Sequence, residues 1–199
     1  MERAVGIMPL DPQTLLTEIR AALAGHQRLT LPHGPVPAAV LVPLFYRHGE
    51  PHLLFTKRTE QLNHHSGEIS FPGGACQAED KDRVETALRE TWEEVGIAPQ
   101  DVDLLGMLDD VFSIHNYLVT PCVGVFPGNY PLKPNRAEIE RIIEVPVAHL
   151  LCPEYRRVEQ WGWQGRNYPV YFYTYQGDEI WGMTAAILKQ FLAIAFPEE

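Results

Sequence analysis

Three glutamates, Glu90, Glu93 and Glu94, lie in the run Arg89-Glu90-Thr91-Trp92-Glu93-Glu94-Val95-Gly96-Ile97. Their i, i+3, i+4 spacing makes them neighbours on one side of a helix. Like charges so placed repel by roughly 0.2–0.5 kcal/mol per pair on a solvated helix. A divalent cation offsets that repulsion, and an all-oxygen donor set suits a hard ion such as Mg2+ or Mn2+. The plainer account of the same residues is a solvated acidic face. Arg89 stands four residues before Glu93 and can pair with it, holding that carboxylate still.

The helix that must carry these groups is well marked. Asp80 and Asp82 both suit its N-terminus, one of them as the cap. Gly96 suits the left-handed position just past its end. Val84, Ala87, Leu88, Thr91 and Val95 fall on one stripe at about 100° per residue, which puts the glutamates on the opposite stripe. Upstream, Phe71-Pro72-Gly73-Gly74 supplies two glycines before the helix. Backbone without a Cβ can come close to a ligand, and a free carbonyl there can join a metal shell.

This arrangement resembles the box of the Nudix hydrolases, G-x5-E-x7-R-E-U-x-E-E-x-G-U, with U a bulky apolar residue. Arg89 to Ile97 matches its right half, with Thr91 at one apolar position. In the left half Asp80 replaces the first Glu, and one extra residue separates it from Arg89. A second block, Leu54-Phe55-Thr56-Lys57-Arg58-Thr59 followed by Gly67 to Gly74, resembles L-L-T-x-R-S-x3-R-x3-G-x3-F-P-G-G. That signature marks the coenzyme A pyrophosphatase branch of the family. Leu54, Thr56, Arg58, Gly67 and Phe71 through Gly74 keep its register, while Phe55, Thr59 and Asn63 depart from it. Asn63 stands where a second Arg could meet a phosphate. The segments 38–44 and 181–186 are similar to the branch's first strand and last helix, so the resemblance spans about residues 36 to 195.

The resemblance implies an α/β/α sandwich with a central mixed sheet, and Mg2+- or Mn2+-dependent hydrolysis of a diphosphate. By it, Glu90 and Glu94 are the main metal ligands and the Gly74 carbonyl assists. Glu93 completes the shell directly or through water, and Arg89 orients it. More than one cation is expected, because two phosphates and three glutamates carry too much negative charge for one. The general base of these enzymes often lies outside the box. Glu138, Glu140 and Glu144 are the alternatives, with Glu138 first because it follows the proline-rich loop. A solvated loop acid is the competing account of Glu138.

On the substrate side the expected contacts are Arg58, His65 and Phe71. A turn or surface role competes for His64-His65. Asp109-Asp110 reads as a pair of turn acids at a strand end rather than as extra metal ligands. The implied substrate is coenzyme A or a derivative, cleaved to 3′,5′-ADP and 4′-phosphopantetheine. Alternatives are another Nudix diphosphatase, acting on ADP-ribose, dinucleotides or nucleoside triphosphates, and a Nudix-fold binding module without catalysis. A homodimer accords with the family, although no residue pattern demands one.

Composition fits one enzyme domain. The chain has 199 residues, and its 45% hydrophobic content is enough for a sizeable core. The net charge of -10 argues against nucleic-acid binding, which needs basic surface. No apolar run approaches the roughly 20 residues of a membrane helix. The start, Met1-Glu2-Arg3, lacks signal-peptide architecture, and three scattered cysteines suit a reducing compartment, so a cytoplasmic protein is expected. Cys76 has no readable histidine partner that would make it a nucleophile.

Pro12 through Ala24 reads as a helix capped by Asp11, and residues 25–37 read as a linker. Residues 1–35 are therefore expected to pack as a helix and linker on a domain of residues 36–199. Strands are expected at 38–46 and 52–56, joined as a hairpin, and near 104–111, 117–126 and 168–175. Residues 127–134 read as a loop, 138–145 as alternately acidic and apolar, and 183–195 as a closing helix.

Overall fold

The computed structural model describes residues 11–31, 36–60, 67–113, 116–163 and 165–197. Its centre is strand β1, Val36–Arg47. The sequence VPAAVLVPLFYR is apolar nearly throughout because both faces of β1 are covered. Ala39 and Leu41 point to one side, where they meet Ala87, Val84 and Leu88 of helix α2, Arg83–Val95. Ala38, Val42 and Leu44 point to the other side. There they join Leu15, Ile19 and Leu23 of helix α1, Pro12–Gly25, and Ile187, Leu188 and Phe191 of helix α4, Gly182–Ala195. Two helices, a sheet and a third helix make the α/β/α sandwich.

The sheet is mixed. β1 turns into β2, Glu50–Arg58, through His48-Gly49. Both turn residues have positive φ, 52° and 84°, the conformation of a tight type I′ hairpin. On its other edge β1 runs parallel to β7, Tyr117–Val125, with Val36 opposite Tyr117 and Leu44 opposite Val125. The short β3, Ile69–Ser70, pairs with β2, and β4, Gly73–Ala75, pairs with the first half of β1. β5, Asp103–Met107, and β6, Val111–Phe112, both pair with β7, and β8, Ile139–Pro146, pairs with β2. The strand expected over 104–111 is thus two strands, interrupted at Leu108-Asp109-Asp110.

A short helix α3, Val147–Leu151, leads to a separate three-stranded antiparallel sheet of β9, Arg156–Trp163, β10, Arg166–Tyr175, and β11, Asp178–Trp181. Of these strands the sequence predicts only β10. Among the described residues no helix is long and apolar enough to cross a membrane.

The segment after α1 is not a free linker where it is described. His26 Nε2 lies 2.7 Å from Asp109 Oδ1, and the Leu29 amide donates to the same oxygen at 2.8 Å. Arg28 and the Leu31 amide both donate to Asp110, which also accepts from Thr120 at 2.7 Å. The acids read as turn residues therefore fasten residues 26–31 across the sheet.

Candidate active site

Helix α2 is built as its ends predict. Asp82 is the N-cap and accepts from the Glu85 amide at 2.9 Å, while Gly96 terminates the helix with φ 79°. Asp80 is left for another task. Its carboxylate receives Arg89 Nε at 2.9 Å and Nη2 at 3.0 Å, Thr86 Oγ1 at 2.8 Å and the Gln77 amide at 2.9 Å. Arg89 beside it holds this carboxyl well below the usual carboxylate range. Asp80 therefore latches the loop to the helix, and Arg89 is shared: Nη1 also reaches Glu90 at 2.8 Å and Glu93 at 3.2 Å. The expected Arg89–Glu93 pair is present as one arm of this larger network.

The glutamates do not form one solvated stripe. Glu93 is half exposed, but Glu94 is only 4% exposed. Glu94 stands seven residues after Ala87 and three after Thr91, so it borders their buried stripe instead of opposing it, and the Gly73 backbone and Arg58 approach it from the other side. A Cβ on Gly74 would stand 2.6 Å from the Glu90 carboxyl carbon, and one on Gly73 would stand 2.4 Å from the Ala39 carbonyl oxygen. Only glycines let this backbone lie between β1 and the acidic helix. Burial raises the Glu90 carboxyl from its ordinary value, with Arg89 pulling it back. Burial pushes Glu94 up to about 8, opposed by Arg58.

Arg58, at the end of β2, brings the second sequence block to the first. Its Nη1 lies 3.7 Å from Glu94 Oε1, beyond hydrogen-bond length. Arg58 Nε, Thr59 Oγ1 and Glu94 Oε2 are buried with no hydrogen-bond partner. Such groups are costly unless something satisfies them. Phe71 is a correction. It was expected at the substrate, but it is 2% exposed and stacks on Phe55 at 4.6 Å within the core. An aromatic next to Pro72-Gly73-Gly74 anchors the loop by packing instead of facing a ligand. His65 lies outside the described residues, as does Asn63.

The loop before β8 reaches the same site. The Asn135 amide donates to the Glu94 carbonyl at 2.9 Å, and Asn135 Nδ2 donates to Glu138 Oε1 at 3.2 Å. The Thr59 amide donates to the Glu138 carbonyl at 2.9 Å. The charge of Glu138 is felt by both Glu90 and Glu94. The other two alternatives for the base have different partners: Glu140 approaches Lys57, and Glu144 is held by Arg47 at 2.6 Å. Asn135 is a site residue that the sequence reading omits. Its signal was available, because Asn135 Oδ1 accepts from the Ala137 amide in an Asx turn, a habit of asparagine in loops.

The donor chemistry fits a hard divalent ion. Glu90 and Glu94 are oxygen donors facing the Gly73-Gly74 backbone, and Glu94 Oε2 is an orphaned buried oxygen that a cation would satisfy. Among the described residues no three His, Cys, Asp or Glu side chains are gathered tightly enough to enclose an ion alone. Glu93, drawn outward onto Arg89, is the one that stands apart.

A NUDIX domain model matches residues 34–162. The uncharacterized Nudix hydrolase NudL of Photorhabdus laumondii subsp. laumondii is 42% identical over 153 residues, covering 77% of this chain and 81% of its own. Its namesake from Salmonella paratyphi B is 38% identical over 154 residues, covering 77% and 79%. Among solved structures, a Nudix hydrolase from M. smegmatis, RenU, aligns with TM-score 0.48 and 18% identity over 57% of this chain and 72% of its own. A C. elegans Ap4A hydrolase aligns with TM-score 0.47 and 18% identity over 56% and 80%. The domain match and the two curated relatives, together with the acidic helix under its glycine strand, show that this chain belongs to the Nudix hydrolase family.

Proposed function

We propose that this Nudix hydrolase cleaves the diphosphate of coenzyme A or a derivative, giving 3′,5′-ADP and 4′-phosphopantetheine or its acyl form. The observation that carries the reading is the approach of Arg58 to Glu94, each with an unsatisfied buried atom. It joins the block that resembles the coenzyme A signature to the block that resembles the hydrolase box. A diphosphate oxygen offers Arg58 the acceptor it lacks, in the bidentate geometry that arginine favours.

Glu90 and Glu94 would hold Mg2+ or Mn2+, with the Gly74 carbonyl and Glu93 at the margin, and the ion would neutralise charge and make the attacking water more acidic. The chain's own residues do the rest. Arg58 binds and orients the diphosphate. Arg89 keeps Glu90 and Glu93 in place while Asp80 keeps Arg89 in place. Glu138, steadied by Asn135, takes a proton from the attacking water. The new P–O bond forms as the bridging P–O bond breaks, and the departing phosphate leaves with its oxygen. Two phosphate monoesters result from one water.

Chromatography of the products from coenzyme A, acetyl-coenzyme A, ADP-ribose, a dinucleoside polyphosphate and a nucleoside triphosphate tests the proposal. Coenzyme A species should have the highest kcat/KM and give 3′,5′-ADP. Much faster turnover of ADP-ribose or a triphosphate would overturn the substrate and keep the hydrolase.

A further inference from the structure

Helix α4 covers only part of the small sheet. It packs on β10 and β11, and β9 lies on the far side of β10 from β11. Val158 of β9 is therefore 55% exposed although it shares a face with buried Tyr173. In the gap beside α4 lies a cavity of about 390 Å³, within the range of small-molecule pockets.

The strand register decides what lines it. Arg156 stands opposite Tyr173 and Val158 opposite Tyr171, so the two-residue alternation puts these four side chains on one face. Lys189 of α4 and Pro153 complete the wall. Arg157 and Phe172 border it as well, but they are engaged on the opposite face: Glu159 and Glu179 hold Arg157, which lies over the Phe172 ring at 4.0 Å.

The charge of this cavity runs against that of the chain. The net charge is -10, yet the wall holds Arg156 and Lys189 and no acidic residue. Lys189 Nζ meets the ring of Tyr171 at 5.2 Å, and no carboxylate pairs with it among the described residues. Tyr173 is 4% exposed, and its hydroxyl hydrogen-bonds to no other described residue. Burial raises the Tyr173 phenol from its ordinary value and Arg156 opposes the rise, which puts that cation within electrostatic reach of the hydroxyl. A largely buried donor without an acceptor is costly, and an anionic oxygen satisfies it together with the cations. The rest of the wall, Pro153, Val158 and the ring of Tyr171, is apolar. A nucleobase would bring several donors and acceptors to a wall with few partners for them, whereas an aliphatic tail needs none.

We propose that this cavity binds a small amphipathic anion, its carboxylate or phosphate head on Arg156, Lys189 and the Tyr173 hydroxyl and its aliphatic tail against Pro153, Val158 and Tyr171. The lining shares no residue with the candidate active site, so this second site stands whichever diphosphate is the substrate.

Isothermal titration calorimetry of the full chain with octanoate and with octyl phosphate tests this, with AMP and octyltrimethylammonium for comparison. At least one octyl anion should bind one to one, the tighter of the two identifying the head. It should shift the amide resonances of residues 156–158, 171–173 and 189 and leave those of 89–94 in place. K189E and R156E alter exposed side chains, and each should weaken binding about tenfold or more with unchanged circular dichroism. Y173F, which removes only the hydroxyl, should weaken it about fivefold. Failure of both octyl anions to bind overturns the proposal. So does AMP binding at these residues more tightly than either, octyltrimethylammonium binding as well as they do, or wild-type affinity in K189E and Y173F.

Discussion

Arg89 and Arg157 each hold more than one carboxylate, and they sit in opposite surroundings. Arg89, 18% exposed, binds Asp80, Glu90 and Glu93, and Asp80 is 4% exposed. Arg157, 47% exposed, binds Glu159 and Glu179, both 42% exposed. The bond lengths are alike, yet water weakens the second set throughout and reaches the first mainly at Glu93. An exposed pair gives little net stability, whereas removing one member of a buried pair strands the other. The comparison teaches that the Arg89 network is part of the machinery that shapes the acidic helix, and that the Arg157 network is a surface arrangement.

The largest expected break is at the centre of the first network's cargo. E94Q should lower turnover at fixed Mg2+ by roughly 10²-fold or more, since outer-shell partners of metal ligands already cost about 10–100-fold. It should also change stability in the opposite sense without metal. Burial lifts Glu94 from 4.5 to about 8, so the folded state holds its proton more tightly than the unfolded chain does. Metal-free wild type should therefore lose stability as pH rises across that interval, and E94Q should lose this part of the slope. Urea unfolding in chelator at several pH values measures it.

Next comes R89M, which leaves Asp80 and Glu90 without their cation. A cost of roughly 2–3 kcal/mol is expected, below the full 3–5 kcal/mol of a wholly buried pair because Arg89 keeps some solvent contact. D80N sharpens the point. The depressed folded value of Asp80 stabilises the fold above the ordinary carboxylate range and loses that effect as pH falls through and below it. D80N should flatten the acid limb of the wild-type stability curve. Thermal unfolding across acid pH decides this.

N135A should lower kcat by about tenfold with little change in KM, because it frees Glu138 without touching Arg58. A fall in kcat as large as that of E94Q would make Asn135 part of the helix scaffold instead. The smallest effect is reserved for the exposed network: E179Q should leave both turnover and the thermal midpoint where they are. A clear loss on either measure would undo the contrast between the two arginines.

Helix α2 was legible in the sequence because its signals are local: an acidic cap, a 3.6-residue stripe and a terminal glycine. The β1–β2 hairpin and β7 were legible for the same reason. What escaped was whatever depends on a distant partner. Glu94 reads as part of a solvated acidic face and is buried where the Gly73 backbone, Arg58 and the loop at Asn135 converge on it. Asp80 reads as a cap candidate standing in the place of the box's first Glu until Arg89 is seen to close on it. Phe71 reads as part of a ligand motif until Phe55 stacks on it. β9 was missed because its residues 156–162 are exposed on both faces and show no apolar alternation. β11 has four residues, too few for a period to register.

The parallel pairing of β1 with β7 has a consequence for how the enzyme comes into being. Residues 36–44 pair antiparallel with β2 and β4 nearby in the chain, but find their parallel neighbours at 117–125, and α2 lies in the excursion between. Closing so long a loop must precede the reward of pairing, which delays such contacts in folding. During synthesis the whole hydrolase box leaves the ribosome before its central strand has a parallel partner. A nascent chain stalled ahead of Tyr117 would carry every motif letter and no assembled catalyst.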